Sequence, residues 1–74
     1  MRAIISRQRE DGTYADVGMN DRTLTGSYKT INNIIRYGIP NHYKGRQVRL
    51  ELFHDGSINS PANEAPFKIL FIQA

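Results

Sequence analysis

The side chains that could perform catalysis are few, and they form no complete catalytic set at a recognisable spacing. His54 is followed directly by Asp55, a pair that could orient an imidazole as a general base, and Ser27 could act as a nucleophile at a helix start. No third group at a suitable spacing completes either arrangement, and a hydroxyl at a helix start more often caps the helix. We therefore expect a protein that is not an enzyme. A small enzyme using His54 and Asp55 in a pocket is the last-ranked alternative.

Metal and cofactor sites are not indicated either. Neither His42 nor His54 has a second ligand nearby, the carboxylates are scattered, and the chain has no cysteine for a disulfide or a thiolate–zinc site. The six glycines are dispersed and form no phosphate-binding or dinucleotide-binding fingerprint. We expect no metal and no cofactor.

A basic and aromatic segment is the best candidate for a functional surface. No acidic residue lies between Asp21 and Glu51, and the whole chain has ten Lys and Arg against seven Asp and Glu, a net charge of +3. Cationic side chains can neutralise the acidic groups of a partner, and exposed tyrosines can stack on bases. The alternative is a solvated helix end, where cations are favoured electrostatically. The predicted partner-binding residues are Arg36, Tyr37, Tyr43, Lys44, Arg46 and Arg49.

The elements that must position these residues begin with a β-hairpin. Asp11-Gly12 separates the extended runs 2–8 and 13–17, a typical hairpin signal. We expect Gly12 in the left-handed position of a three-residue loop, because this register gathers apolar side chains on one face. The facing pairs are then Arg9 with Thr13, Ile5 with Val17 and Ala3 with Met19, whereas a two-residue turn would pair Arg7 with Asp16.

One helix is predicted over residues 27–37. Thr25 or Ser27 would cap its start. Gly38 suits the left-handed position after the last turn, and Pro40 prevents continuation. The apolar residues at helical spacing are Tyr28, Ile31, Ile34 and Ile35, and Ile39 is expected to fold back on Ile34.

Two more strands are predicted after the helix. Residues 47–54 alternate, with Val48, Leu50 and Leu52 on one face and Arg49, Glu51 and Phe53 on a solvated face. Residues 67–72 are apolar on both sides, which is typical of a strand that is central in its sheet or lies in a subunit interface. Residues 55–66 form an unusually long loop that is functional or mobile.

These elements predict an α+β fold with the order strand-strand-helix-strand-strand, in which a four-stranded, mainly antiparallel sheet carries the helix on one face. The whole chain, 1–74, is expected to be one domain. A chain this short buries only about 60% of its unfolded surface, so self-association is a natural source of stability. We expect a homodimer whose interface contains Phe53, Leu70 and Ile72 on the face opposite the helix. The alternative is that arginine stems or the long loop shield that face.

The N-terminal segment contains one apolar doublet, Ile4-Ile5, which is too short for a signal peptide or a membrane span. The absence of cysteine fits a reducing compartment. We therefore expect a cytoplasmic protein with no membrane partner.

The run from Gly26 to Pro40, together with the small size and mild basicity, resembles short accessory proteins of phages and other mobile elements, including anti-CRISPR and antirestriction proteins. The resemblance implies stoichiometric binding to host machinery. The leading hypothesis is a non-catalytic protein that occupies a surface of a host protein or nucleoprotein complex through its basic stretch. A dimeric nucleic-acid-binding regulator is the alternative.

Overall fold

The computed structural model describes residues 1–16, 18–55 and 65–74. Their backbone forms a four-stranded antiparallel sheet with a short helical segment, which confirms the predicted α+β class. The strand order across the sheet is β2-β1-β3-β4. The strands are β1 (Arg2–Arg7), β2 (Arg22–Leu24), β3 (Gln47–Phe53) and β4 (Lys68–Gln73); α1 (Ile31–Asn33) continues into a π-helical turn (Ile34–Gly38), and a 3₁₀ turn (Asn41–Tyr43) follows.

The core lies between the helical segment and one face of the sheet, called the helix-side face. Val48, Leu50 and Leu52 alternate along β3 and are fully buried there, as their spacing predicts. Ile5 of β1 lies opposite Leu50 and is equally buried. The buried cluster consists of Ala3, Ile5, Ile34, Ile39, Tyr43, Val48, Leu50 and Leu52.

The helical segment starts at Ile31, later than predicted. Its N-cap is Thr30, whose hydroxyl accepts a 3.2 Å hydrogen bond from the Asn33 N–H. Thr25 instead extends the pairing of β2 with β1, since its N–H donates to the carbonyl of Ala3 and its hydroxyl accepts from the Ala3 N–H at 3.1 Å. The predicted caps, Thr25 and Ser27, are therefore wrong because the sheet holds this part of the chain in an extended conformation.

Gly38 ends the π-helical turn for a reason other than the predicted one. It does not have a positive φ, unlike Gly12, Gly18 and Gly45. A Cβ on Gly38 would lie 3.2 Å from Cγ2 of Thr25, so Thr25 would have to shift by a few tenths of an ångström to accommodate any larger residue. Ile39 then becomes extended and is buried in the cluster that contains Ile34.

The N-terminal turn is predicted correctly, but the strand after it is not. The N–H of Arg9 donates to the carbonyl of Thr13 at 2.8 Å, and Gly12 has φ = +86°, so the three-residue loop is confirmed. Residues 13–16 form no strand, and Ile5 pairs with Thr23 of β2. The predicted pairs Ile5–Val17 and Ala3–Met19 are therefore wrong; Val17 lies outside the described residues.

Residues 13–16 pass over the sheet face opposite the helical segment, called here the second face. Ala15 is fully buried, and its carbonyl accepts a 2.6 Å hydrogen bond from Nη2 of Arg49 in β3. The ring of Tyr14 meets Phe71 of β4 edge to face, with centroids 5.5 Å apart. This segment therefore reaches across β3 to β4 instead of extending the hairpin.

The predicted position of the last strand needs correction. β4 is an edge strand and is not central. Leu70 and Ile72 pair with Leu50 and Val48 and pack on the helix-side core. Phe53 is buried on the second face with Ile4. The predicted apolar patch of Phe53, Leu70 and Ile72 is therefore divided between two faces, because apolar residues at both alternating positions of β4 left its orientation ambiguous.

Residues 55–66 were predicted to form a long loop. Asp55, Ala65 and Pro66 belong to the described chain, whereas residues 56–64 lie outside the described residues.

Candidate functional site

A basic concavity lies beside the helical segment. It has a volume of about 610 Å³, and Arg36 and Lys44 contribute its two cationic side chains. The full set of described lining residues is Asn32, Asn33, Ile35, Arg36 and Lys44, and it includes no acid. The name basic concavity is used below for this set.

Two elements bring Arg36 and Lys44 together. Arg36 belongs to the π-helical turn, whereas Lys44 follows the 3₁₀ turn. Between them, Pro40 has an extended ψ of 149°, so the chain leaves the helical direction there. The N–H of Lys44 donates to the carbonyl of Asn41 at 3.1 Å, which closes the 3₁₀ turn. The extended Pro40 and the 3₁₀ turn thus connect two elements whose cations line one depression.

Tyr37 is the exposed aromatic residue next to this site. The residue is 68% exposed, and the guanidinium carbon of Arg36 lies 6.0 Å from its ring centroid. At this distance the cation can interact with the ring face. Arg36 and Tyr37 therefore present a cation and an aromatic surface together, as the sequence predicts.

Tyr43 does not belong to the exposed surface. It is buried in the core, and its hydroxyl oxygen accepts a 3.1 Å hydrogen bond from Thr23. The guanidinium carbon of Arg7 lies 5.9 Å from the Tyr43 ring centroid. The predicted exposure of Tyr43 on the contact surface is therefore wrong, because the 3₁₀ turn directs this side chain inward although its neighbours in the sequence are polar.

Arg49 lies on the second face, away from the basic concavity. One of its Nη atoms is 3.1 Å from Oε1 of Glu51 and also donates to Oγ of Ser6 at 3.1 Å. Arg22 adds a second cation 3.6 Å from the same carboxylate oxygen. Arg49 is therefore a largely buried structural residue, and its predicted place on a solvated contact face is wrong.

Arg46 faces a separate cavity of about 430 Å³ near the N-terminal turn. This cavity is lined by Arg7, Arg9, Glu10, Asp11 and Arg46, so its charges are mixed. Asp21 bridges Arg7 and Arg9 at 3.2 and 2.9 Å. The hydrogen bond from Arg9, followed by the charges of Arg7 and Arg9, lowers the pKa of Asp21. Much of the positive charge near this cavity is therefore already neutralised.

The structure thus brings together Arg36, Tyr37 and Lys44 and places Tyr43, Arg46 and Arg49 elsewhere. Sequence reasoning missed Asn32, Asn33 and Ile35 as lining residues. The two asparagines fall off the apolar stripe of the helical pattern, and this was the available signal that they face outward.

His54 and Asp55 have different surroundings. The imidazole of His54 stacks on the ring of Phe67, with centroids 4.3 Å apart and an angle of 16°. Asp55 accepts a 2.7 Å hydrogen bond from Ser27, and this bond is the main reason why the pKa of Asp55 is lowered. The Ser27 hydroxyl therefore donates to a carboxylate, and the lowered pKa makes this carboxylate a weaker base than an ordinary aspartate.

Within the described parts of the chain, no group of three or more His, Cys, Asp or Glu side chains is placed to hold a metal ion. Among the same residues, none of the helical segments has the length and apolar character needed to span a membrane. Comparisons with protein-family models, curated proteins and solved structures find no match to the chain.

Proposed function

We propose that this is a small, non-catalytic cytoplasmic protein that modulates or inhibits host machinery by stoichiometric binding. The basic concavity docks on an acidic surface of a host protein or nucleoprotein complex. The observation that supports this proposal is the convergence of Arg36 and Lys44, from two different elements, on a depression whose described lining has no acid. The run from Gly26 to Pro40 resembles short accessory proteins of phages, which commonly act in this way.

The chemistry of the lining fits carboxylates. Arg36 offers a planar fork of N–H donors, and Lys44 offers a compact ammonium group. Asn32 and Asn33 add amide groups that can donate to carboxylates or accept from neighbouring backbone N–H groups. Ile35 supplies an apolar contact within the same depression. A partner with clustered Asp or Glu residues would satisfy these groups together.

Nucleic acid is a second candidate partner because of Tyr37. An exposed ring beside a guanidinium can stack on an unpaired base while Arg36 and Lys44 neutralise phosphates. A fluorescence titration with single-stranded and duplex nucleic acid at two salt concentrations tests this candidate. Affinity that falls steeply with salt would support it, and no binding at low salt would remove it.

The main proposal is tested by capture of partners from the native host, followed by mass spectrometry. The test variant is Arg36→Glu/Lys44→Glu. The matched control is Lys29→Glu/Lys68→Glu, which changes the net charge equally at two exposed lysines outside the concavity. We expect the native protein and the control to capture the same partner and the test variant to lose it. Equal capture by all three proteins would contradict the proposal.

A further inference from the structure

The outer edge of β4 carries backbone groups that pair with no strand among residues 1–16, 18–55 and 65–74. The N–H of Ala74 donates to the carbonyl of Arg46 at 2.9 Å. In an antiparallel pair every second residue directs its backbone groups to the same neighbour, so the backbone groups of Leu70 and Ile72 also form hydrogen bonds with β3. Ile69 and Phe71 then direct their N–H and C=O groups away from the sheet. No described strand pairs with this edge.

The side chains beside this edge form an apolar stripe. Phe67, Ile69 and Phe71 alternate along one face and are 48%, 49% and 59% exposed. β4 is six residues long, and Lys68 is its one charged residue. Edge strands are normally protected from association by shortness or by charge. The opposite edge has such protection, because β2 has three residues and includes Arg22.

We propose that β4 pairs antiparallel with β4 of a second copy, about a two-fold axis at Leu70. Ile69 then lies opposite Phe71 of the partner subunit, and symmetry repeats this pair. The outward backbone groups of both residues exchange hydrogen bonds, and the two sheets become continuous. This dimer uses the second-face side chains of β4 and does not depend on the proposed function of the basic concavity.

Self-complementarity identifies a second copy as the occupant. When Ile69-Leu70-Phe71 pairs antiparallel with the same segment of a second copy, every facing pair consists of two apolar side chains. Cross-strand pairs of aromatic and β-branched residues stabilise sheets. A centre at Phe71 would instead pair Ile69 with Gln73. The Leu70 centre also keeps the two Lys68 residues about 13 Å apart along the strands, whereas parallel pairing would place them side by side.

Light scattering and sedimentation from micromolar to millimolar concentration test the dimer. We expect the native protein to reach the mass of two chains and Ile69→Lys/Phe71→Lys to remain a folded monomer. Leu24→Lys is the matched control, because Leu24 is 50% exposed at the opposite edge, and it should still dimerise. Arg36→Glu/Lys44→Glu should dimerise as well, which separates this proposal from the function proposed above. A native monomer at every concentration, or a dimer that survives the double substitution, would overturn it.

The register has its own test because the natural sequence has no cysteine. Leu70→Cys places two thiols opposite each other at the axis, and we expect it to form an intermolecular disulfide under mild oxidation. Ile72→Cys should not form this disulfide, because position 72 of each subunit lies four residues along the strand from position 72 of the other subunit. Amide exchange in the native protein provides a measurement without substitutions: the N–H groups of Ile69 and Phe71 should gain protection as concentration rises. Cross-linking through Ile72→Cys alone, or no gain in protection, would overturn the proposed pairing.

Discussion

The guanidinium of Arg49 donates a 2.6 Å hydrogen bond to the backbone carbonyl of Ala15, thirty-four positions earlier in the chain. This contact connects the middle of β3 to the segment that passes over the second face. The guanidinium carbon of Arg49 also lies 5.4 Å from the ring centroid of Tyr14. One side chain therefore holds the crossing segment on the sheet and neutralises Glu51 beneath it.

The first prediction concerns the stability that this contact provides. Arg49→Ala should lower the free energy of unfolding by about 2 to 4 kcal/mol, since it leaves the carbonyl of Ala15 and the largely buried carboxylate of Glu51 short of partners. Urea denaturation followed by circular dichroism measures the change. Arg36→Ala is the control, because Arg36 is exposed and its removal should cost less than about 0.5 kcal/mol. Equal stability of the two variants would contradict a structural role for Arg49.

The second prediction concerns the core. Ile34→Ala should destabilise the protein by about 2 to 5 kcal/mol, because Ile34 is fully buried between the π-helical turn and the sheet. Ile35→Ala is a suitable comparison, since Ile35 is only partly buried and lines the basic concavity. The urea midpoint should fall much further for Ile34→Ala than for Ile35→Ala. A similar shift in both variants would mean that the helical segment packs on the sheet differently.

Periodicity predicted an element well wherever its two faces differ. β3 alternates between core and polar residues, so its limits and the burial of Val48, Leu50 and Leu52 follow from the sequence. Phe53 was predicted on the solvated face, and this is wrong because it is buried on the second face with Ile4. β4 has apolar side chains at both alternating positions, and its orientation therefore depends on the partner strand. The run 13–17 also has extended character, but it is held by contacts with Arg49 and Phe71 that are distant in sequence. Local patterns contain no information about such contacts.

The candidate site shows the same limit. Arg36, Tyr37 and Lys44 are exposed, as an acid-free segment predicts. Tyr43 and Arg49 are also aromatic and cationic, but they are largely buried. The 3₁₀ turn determines the surroundings of Tyr43, and residues 13–16 determine those of Arg49. Charge in the sequence thus predicted the two cations of the candidate site, Arg36 and Lys44, but it did not show which of the other predicted residues are buried.

The third prediction concerns pH. The pKa of Asp21 is lowered from 3.8, first by the hydrogen bond from Arg9. A carboxyl group whose pKa is lower in the folded state stabilises the fold above its unfolded pKa, and this contribution is lost as the pH falls through the folded pKa. The free energy of unfolding should therefore decrease on acidification from about pH 5 to pH 2, and it should decrease less in Asp21→Asn. Identical slopes for the two proteins would show that the ion pairs of Asp21 do not contribute.

The fourth prediction concerns the packing of Gly38 against Thr25. Gly38→Ala should destabilise the protein by about 1 to 3 kcal/mol, because the new Cβ would lie 3.2 Å from Cγ2 of Thr25. Thr25→Ser removes this methyl group and keeps the hydroxyl that bonds to Ala3. The double variant should therefore recover part of the loss, and a double-mutant cycle measures the coupling. Strictly additive effects would mean that the loss has another origin.

The fifth prediction concerns how the basic concavity binds. Once a partner is identified, Arg36→Glu/Lys44→Glu should slow association by about tenfold or more and should leave the urea midpoint nearly unchanged, because exposed charges mainly accelerate encounter and contribute little to stability. Raising the salt concentration should lower the association rate of the native protein towards that of the variant, because salt screens exposed charges.

His54→Ala provides the opposite comparison. It removes the imidazole that stacks on Phe67 but none of the described lining of the concavity, so partner binding should be unchanged. Stopped-flow or surface-based kinetics at two salt concentrations can measure all three proteins together. Normal association of the charge-reversed variant, combined with loss of function in His54→Ala, would reject the basic concavity as the binding surface. It would instead favour chemistry centred on His54 and Asp55.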